Sequence, residues 1–457
     1  MSLWTSAEIA AATGGKASAD FACDGVAFDS REIGPGDLFI ALKGEATDGH
    51  KFIDQSSERG AAGAVVSVST PHPHVLVADT TVALDDLGRA ARARTDATII
   101  GVTGSVGKTG TKEALFAALD RIEPGCAHRS VKSYNNHTGV PLSLARMPAA
   151  SRFGVFEMGM NHAGELAALT RLVRPHVAIV TAIAPVHLEF FADEGAIADA
   201  KAEIFQGLEP GGTAIVPFDS PHRDRLVEAA ERHAGSIITF GMNADADVHA
   251  IDTMRTPTGG TFVSARLGDE ALSFTVNQPG AHWVANALAV LAAVRAAGGD
   301  LALAGLALAE LGGLAGRGKR FLTPTKGGSA LVLDESYNAN PASMRATLAV
   351  LAGESASRRI AVLGEMGELG AGASDYHADL AEPVLAARVD RAILVGAGML
   401  PLANALEGRV DFVHVPDAAA ALDRLKVVLA ADDVVLIKGS NFVGLSAVVA
   451  GLAGGKT

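Results

Sequence analysis

The segment Gly101-Val102-Thr103-Gly104-Ser105-Val106-Gly107-Lys108-Thr109 gathers the side chains that phosphate chemistry needs. Glycines let backbone N–H groups converge on phosphate oxygens, and the N-terminus of a following helix adds to the same field. Thr103, Gly104, Ser105 and Gly107 would form that cradle. Lys108 would carry mobile positive charge to the β- and γ-phosphates, and Thr109 would offer its hydroxyl to Mg2+. The segment departs from the strict phosphate-loop pattern, because Val102 stands where the first glycine belongs. The plainer reading is a structural turn. The setting, a β-branched run Thr98 to Val102 before it and a helix from about Thr109 to Leu119 after it, favours nucleotide binding.

Other polar residues fall at the ends of apolar runs. Glu157 closes Phe153-Gly154-Val155-Phe156-Glu157, and a carboxylate there suits a hard cation. His187 follows the run Val177 to Ile183 and should emerge at the same edge. Each alone could equally be a solvated loop residue. Lys201 sits in an amphipathic helical stretch and reads by itself as a surface lysine; Asn286 reads as a polar group at a helix start. Arg317-Gly318-Lys319-Arg320 is either a solvated basic linker or a clamp on phosphate charge when two domains close. Asp334, Tyr337 and Asn338 follow the apolar run Ala330 to Leu333, with Pro341 at an expected helix start, and Asp334 could hold a ribose hydroxyl. Lys438 and Ser440 end the run Val434 to Ile437.

In open α/β sheets, the carboxyl ends of the strands face the ligand crevice, so these residues require parallel sheets to position them. The chain reads as α/β with three domains. Residues 1–85 form a small mixed α/β domain, with strands Ala61 to Val68 and Val75 to Ala78, a short helix His50 to Arg59, and a connecting helix Leu84 to Arg94 at its end. Residues 86–313 form a central phosphate-loop domain with a parallel sheet and, from about Asp247 to Val276, an antiparallel meander. Residues 314–457 restart the strand–helix alternation as a Rossmann-like unit after the Gly-rich linker Gly312 to Gly318.

Composition excludes several classes. With 457 residues the chain is too long for one ordinary core. A net charge of −13 argues against a nucleic-acid coat or an anionic-membrane binder. Two cysteines cannot make a disulfide scaffold, so a reducing cytoplasm is expected. Mean hydropathy is +0.26, yet no apolar run approaches the ~18 residues of a membrane span, and no signal peptide is visible.

Taken together, these residues resemble the Mur ligase family, the ATP-dependent amide-forming enzymes of peptidoglycan synthesis. Thr103 to Thr109 is similar to the family's phosphate loop, and Glu157, His187, Asn286, Arg317 and Asp334 fall in order on its common site residues. The strings Asp29-Ser30-Arg31, Tyr134-Asn135-Asn136-His137-Thr138-Gly139-Val140-Pro141 and Gly364-Glu365-Met366-Gly367-Glu368-Leu369-Gly370 resemble the branch that adds D-alanyl-D-alanine to UDP-N-acetylmuramoyl-tripeptide. The Asp-Asn-Pro-Arg string usual in the branch that adds the third residue is absent. The resemblance implies ATP and Mg2+ as cofactors, an acyl-phosphate intermediate, and a metal held by Thr109, Glu157, His187 and a carbamylated Lys201. It puts His282, Trp283, Asn286, Arg317, Asp334, Tyr337 and Asn338 on the nucleotide side, and Ser30, Arg31, Asn136, Thr138, Lys438 and Ser440 on the substrate side. Trp283 stands where the family often has Asn, so its indole either stacks on adenine or packs into the core. A cytoplasmic monomer with no nucleic-acid or membrane partner is expected. The rivals are a phosphate-loop phosphotransferase or switch GTPase, which lacks support because no Asn-Lys-x-Asp string is present, and a regulator that no longer catalyses.

Overall fold

The computed structural model describes residues 2–44, 47–186 and 188–454. The first sheet has five strands, in the order Lys16–Ala17, His74–Leu76, Gly63–Val66, Asp37–Ile40 and Gly25–Ala27. All pair in parallel except the first. The expected strands here are shorter than read, and the helix expected from His50 to Arg59 begins as a 3-10 turn, Gly49–Phe52, before Ile53–Glu58. The expected connecting helix starts earlier, at Thr80–Ala93, because Asp79 caps it by accepting from the Thr81 and Val82 N–H groups. This helix packs on Gly139–Ala145 of the next unit, with Gly88 admitting the Pro141 backbone. Trp4 reinforces the seam: its indole N–H donates to Ala145 O at 2.8 Å, and the Arg94 guanidinium lies 3.5 Å over its ring.

The central sheet has nine strands, in the order Glu270–Val276, Thr261–Leu267, Val248–Arg255, Ser236–Gly241, Thr213–Pro217, Val177–Val180, Thr98–Thr103, Phe153–Glu157 and Ala127–Arg129. The first three form the expected antiparallel meander, and the rest pair in parallel. Val177–Val180 is buried at every position, as a central parallel strand covered on both faces must be. On one face the helix Lys108–Ile122 packs against the Ala/Leu-rich helix Ala281–Ala296, with Leu115, Leu119, Leu288 and Leu291 fully buried. Each such side chain contributes roughly 1.5–3 kcal/mol on burial.

The third sheet has six strands, in the order Lys319–Thr325, Gly328–Glu335, Asp433–Lys438, Arg358–Gly364, Arg391–Val395 and Asp411–Val415, all parallel except the first. The basic run, expected as either a solvated linker or a phosphate clamp, is half strand: Lys319 and Arg320 begin an antiparallel edge that pairs with Asp334 and Leu333. The helix Pro341–Ala352 starts as expected, with Pro341 in its first turn and the Asn340 side chain accepting from Ser343 N–H. Among the described residues, no helix is long and apolar enough to cross a membrane.

Candidate active site

Strand register places the chemistry. Glu157 pairs with Val102, and Val180 with Thr103, so two neighbouring strands end level with the glycine-rich loop between them. Gly104 and Gly107 have φ of +145° and +89°, which few side-chain-bearing residues adopt. Gly107 is also the N-cap of Lys108–Ile122 and supplies no side chain, so the first N–H groups of that helix remain for a ligand. Lys108 curls back, and its ammonium donates to Gly104 O at 2.6 Å. Burial, with Arg317 nearby, holds this ammonium below the usual lysine range, while Glu157 pulls in the opposite direction. Ser105 donates to Ala184 O, and Thr103 is fully buried with its hydroxyl unpaired among the described residues.

Glu157 is buried, and both its oxygens are addressed. Thr109 Oγ1 donates to Oε2 at 2.9 Å, and Asn135 Nδ2 donates to Oε1 at 2.8 Å. These are hard oxygen donors side by side, the chemistry Mg2+ prefers. His187 lies outside the described residues. Lys201 is at the end of Glu194–Ala202 and is fully buried, so the surface-lysine alternative does not hold. Burial, then the charge of Lys108, holds its ammonium well below the usual lysine range. A group of three or more His, Cys, Asp or Glu side chains fit to hold a metal does not occur among the described residues.

The helix Ala281–Ala296 meets the phosphate-loop helix through matched small and large residues. The Asn286 amide sits 2.7 Å from where a Cβ of Gly107 would stand, and the Trp283 ring 2.9 Å from that of Gly110. Neither glycine can carry a side chain without moving its neighbour. The Trp283 indole is buried between Gly110 and Gly318, which is the packing alternative for this residue. His282 is half-buried, and burial with Lys438 nearby holds its imidazole down at about 4.

From the third sheet, the Arg317 guanidinium lies 4.1 Å over the Tyr337 ring and donates to Ser133 Oγ at 3.4 Å, which carries it to the loop beside Glu157. Asp334 is buried in its own turn: its carboxylate accepts from Gly316 N–H at 2.7 Å and from the Ser336 N–H and hydroxyl. Asn338 O accepts from Lys438 Nζ at 2.9 Å. Burial lowers the Lys438 ammonium and raises the Glu335 carboxyl beside it in the register. Ser440 Oγ accepts from Gly367 N–H at 2.9 Å.

Of the residues expected on the substrate side, Ser30 and Arg31 follow the strand Gly25–Ala27, and Asn136 and Thr138 precede the helix Gly139–Ala145. Ser30 donates to Gln55 Oε1, and Arg31, largely exposed, forms a bidentate pair with Asp29. Asn136 Oδ1 accepts from the Thr138 N–H and hydroxyl and from Gly139 N–H, a turn that starts the helix Gly139–Ala145. Three residues near the loop were not among the expected site residues: Asn135, which lies within the string Tyr134 to Pro141, Ser133 and the buried Lys112. Lys112 carried a signal, because it follows Lys108 by four residues and so shares its helix face.

Known proteins match along almost the whole chain. The description "Mur ligase family, catalytic domain" matches residues 23–96, "Mur ligase middle domain" residues 102–294, and "Mur ligase, glutamate ligase domain" residues 319–441. The UDP-N-acetylmuramoyl-tripeptide–D-alanyl-D-alanine ligase of Escherichia coli K12 is 35% identical over 439 residues, 95% of this chain and 94% of the relative. The chain belongs to the Mur ligase family. A second Mur ligase relative, the Bacillus subtilis enzyme of the same name, is 32% identical over 93% of this chain and 92% of its own. Among solved Mur ligase structures, MurF from Acinetobacter baumannii superposes with a TM-score of 0.84 at 31% identity, covering 98% of each chain. MurF ligase from Thermotoga maritima, in complex with ADP, superposes with a TM-score of 0.77 at 25% identity, covering 94% of this chain and 96% of its own.

Proposed function

We propose that this chain is the cytoplasmic ATP-dependent ligase that joins D-alanyl-D-alanine to UDP-N-acetylmuramoyl-tripeptide, releasing ADP and phosphate. The observation that carries the reading is that Lys108 and Thr109 of the phosphate loop meet Glu157 and lie within reach of the charge of Arg317, in a chain similar along its length to ligases of that name. A carboxylate resists attack by an amine until one of its oxygens becomes a good leaving group. The tripeptide's terminal carboxylate therefore first takes the γ-phosphoryl group, giving an acyl phosphate. The amine then attacks the acyl carbon, and phosphate departs with that oxygen.

Phosphoryl transfer needs positioning and charge neutralisation more than covalent help. The N–H groups of the loop and of the helix start at Lys108 hold the phosphates. Lys108 leaves Gly104 O to meet the transferred group, and Arg317 approaches from the third sheet past Ser133. Thr109, Glu157, His187 and a carbamylated Lys201 would hold Mg2+, which supplies further neutralisation when bound. The neutral amine is the form that adds CO2, giving a carbamate and a proton, and the burial of Lys201 shifts it toward that form. Asn286 borders the nucleotide through Gly107. His282, Trp283, Tyr337 and Asn338 shape the surrounding wall, and Asp334 holds the turn that presents Arg317. Ser30, Arg31, Asn136, Thr138, Lys438 and Ser440 face the two substrates, and the chain acts as a monomer. The test is whether ADP release requires both the nucleotide-sugar tripeptide and D-alanyl-D-alanine. A phosphotransferase would release ADP with no amine present.

A further inference from the structure

Lys112 carries a charge with no part in the reaction just described, yet it is fully buried one turn beyond Lys108. Its ammonium donates to Ser130 O at 3.3 Å and to Lys132 O, and it pairs with Glu113 Oε1 at 3.0 Å. An ammonium has three donors, and these partners account for them. It therefore meets Glu157 Oε2, 3.9 Å away, as a neighbouring charge. Methionine would fill the same space without the cost of burying an ion, so packing alone does not call for a nitrogen here.

The groups Lys112 touches lead to the site. Ser130 Oγ accepts from Glu157 N–H at 2.9 Å, so this residue is tied to Lys112 at its carbonyl and to Glu157 at its hydroxyl. Lys132 holds φ at +49°, a left-handed conformation rare for a residue with a side chain; such strain persists where the surroundings fix it, and its carbonyl is bound by Lys112. The same segment then delivers Ser133 to Arg317 and Asn135 to Glu157 Oε1.

We propose that Lys112 is a positioning residue for phosphoryl transfer: its buried ammonium sets the Glu157 carboxylate and clamps residues 130–135 against the phosphate-loop helix. The proposal rests on the reading of Thr109 and Glu157 as holders of Mg2+. Its test is calorimetry of ADP binding to the full-length chain as Mg2+ is titrated, alongside steady-state turnover. Lys112→Met should keep metal-free ADP affinity within about twofold, yet raise the Mg2+ midpoint and lower kcat by about tenfold or more, the scale expected when a support of a metal ligand is lost. The KM for D-alanyl-D-alanine should hold, and Lys112→Arg, which keeps the charge, should recover much of both losses. If Lys112→Met does not fold, Lys112→Gln is judged on the same midpoint. A wild-type midpoint in the folded neutral variant overturns the proposal alone. ADP binding to wild type that ignores Mg2+ overturns the metal-site reading as well.

Discussion

Thr109 Oγ1 donates to Glu157 Oε2 across 2.9 Å, tying the first turn of the phosphate-loop helix to the end of the adjacent strand. Both groups are buried, and in the proposed reaction both turn to one cation. They should therefore act as a unit. Thr109→Ala and Glu157→Gln should each lower kcat about 100-fold, near 3 kcal/mol of transition-state stabilisation. The double variant should lose less than the sum, with a coupling of about 1 kcal/mol or more. Additive losses in the kinetic cycle would separate the two residues.

Lys201 should report on its own chemistry. Fully buried, with burial and then the charge of Lys108 holding its ammonium well below the usual lysine range, it is suited to add CO2. Lys201→Ala should lose most activity and regain part of it in millimolar short-chain carboxylic acids, which can supply the missing anion. Full activity without rescue would leave Lys201 as a packing residue.

Trp283 is expected to act by packing. Its indole lies between Gly110 and Gly318. Trp283→Ala should cost about 3–5 kcal/mol in unfolding free energy, the range for removing a large buried aromatic. In a Trp4→Phe background all indole emission comes from position 283, since the chain has two tryptophans. Saturating ATP should leave that emission nearly unchanged; strong saturable quenching would favour stacking on adenine.

The sequence made the phosphate loop plain because its residues are contiguous and their spacing is itself the chemistry. Glu157 was legible for a similar reason, since a carboxylate closing an apolar run lands at a strand's carboxyl end. Contacts between elements were not legible. Nothing local to Gly107 and Gly110 says that Asn286 and Trp283 occupy the space their side chains would need. Lys112 looks like a solvated helical lysine until Ser130 and Lys132 are folded over it. The short edge strand Asp411–Val415 was missed because only Val415 is buried, leaving no apolar run to read. Lys319 and Arg320 read as solvated linker or phosphate clamp and not as strand, because charge and neighbouring glycine hid an antiparallel edge.

His128 predicts a pH dependence of stability. Its Nε2 bonds to Ser143 O at 2.8 Å, and burial lowers its imidazole from 6.5 to about 4. The unfolded chain thus binds a proton from about 6.5 downward that the folded chain refuses until about 4. More protons on the unfolded state mean that stability falls as pH drops through this window. Tm should decline from pH 6.5 to 4, and His128→Gln, which keeps a donor for Ser143 O, should make the decline shallower. An unchanged slope would place the acid sensitivity elsewhere.

The central claim is that the substrate's own carboxylate oxygen leaves as part of phosphate. It can be followed directly with UDP-N-acetylmuramoyl-tripeptide labelled with 18O in its terminal carboxylate. Mass spectrometry of the inorganic phosphate formed with ATP and D-alanyl-D-alanine should find one 18O per phosphate, at the enrichment of the carboxylate. Unlabelled phosphate from a reaction that still yields the amide would contradict an acyl-phosphate route.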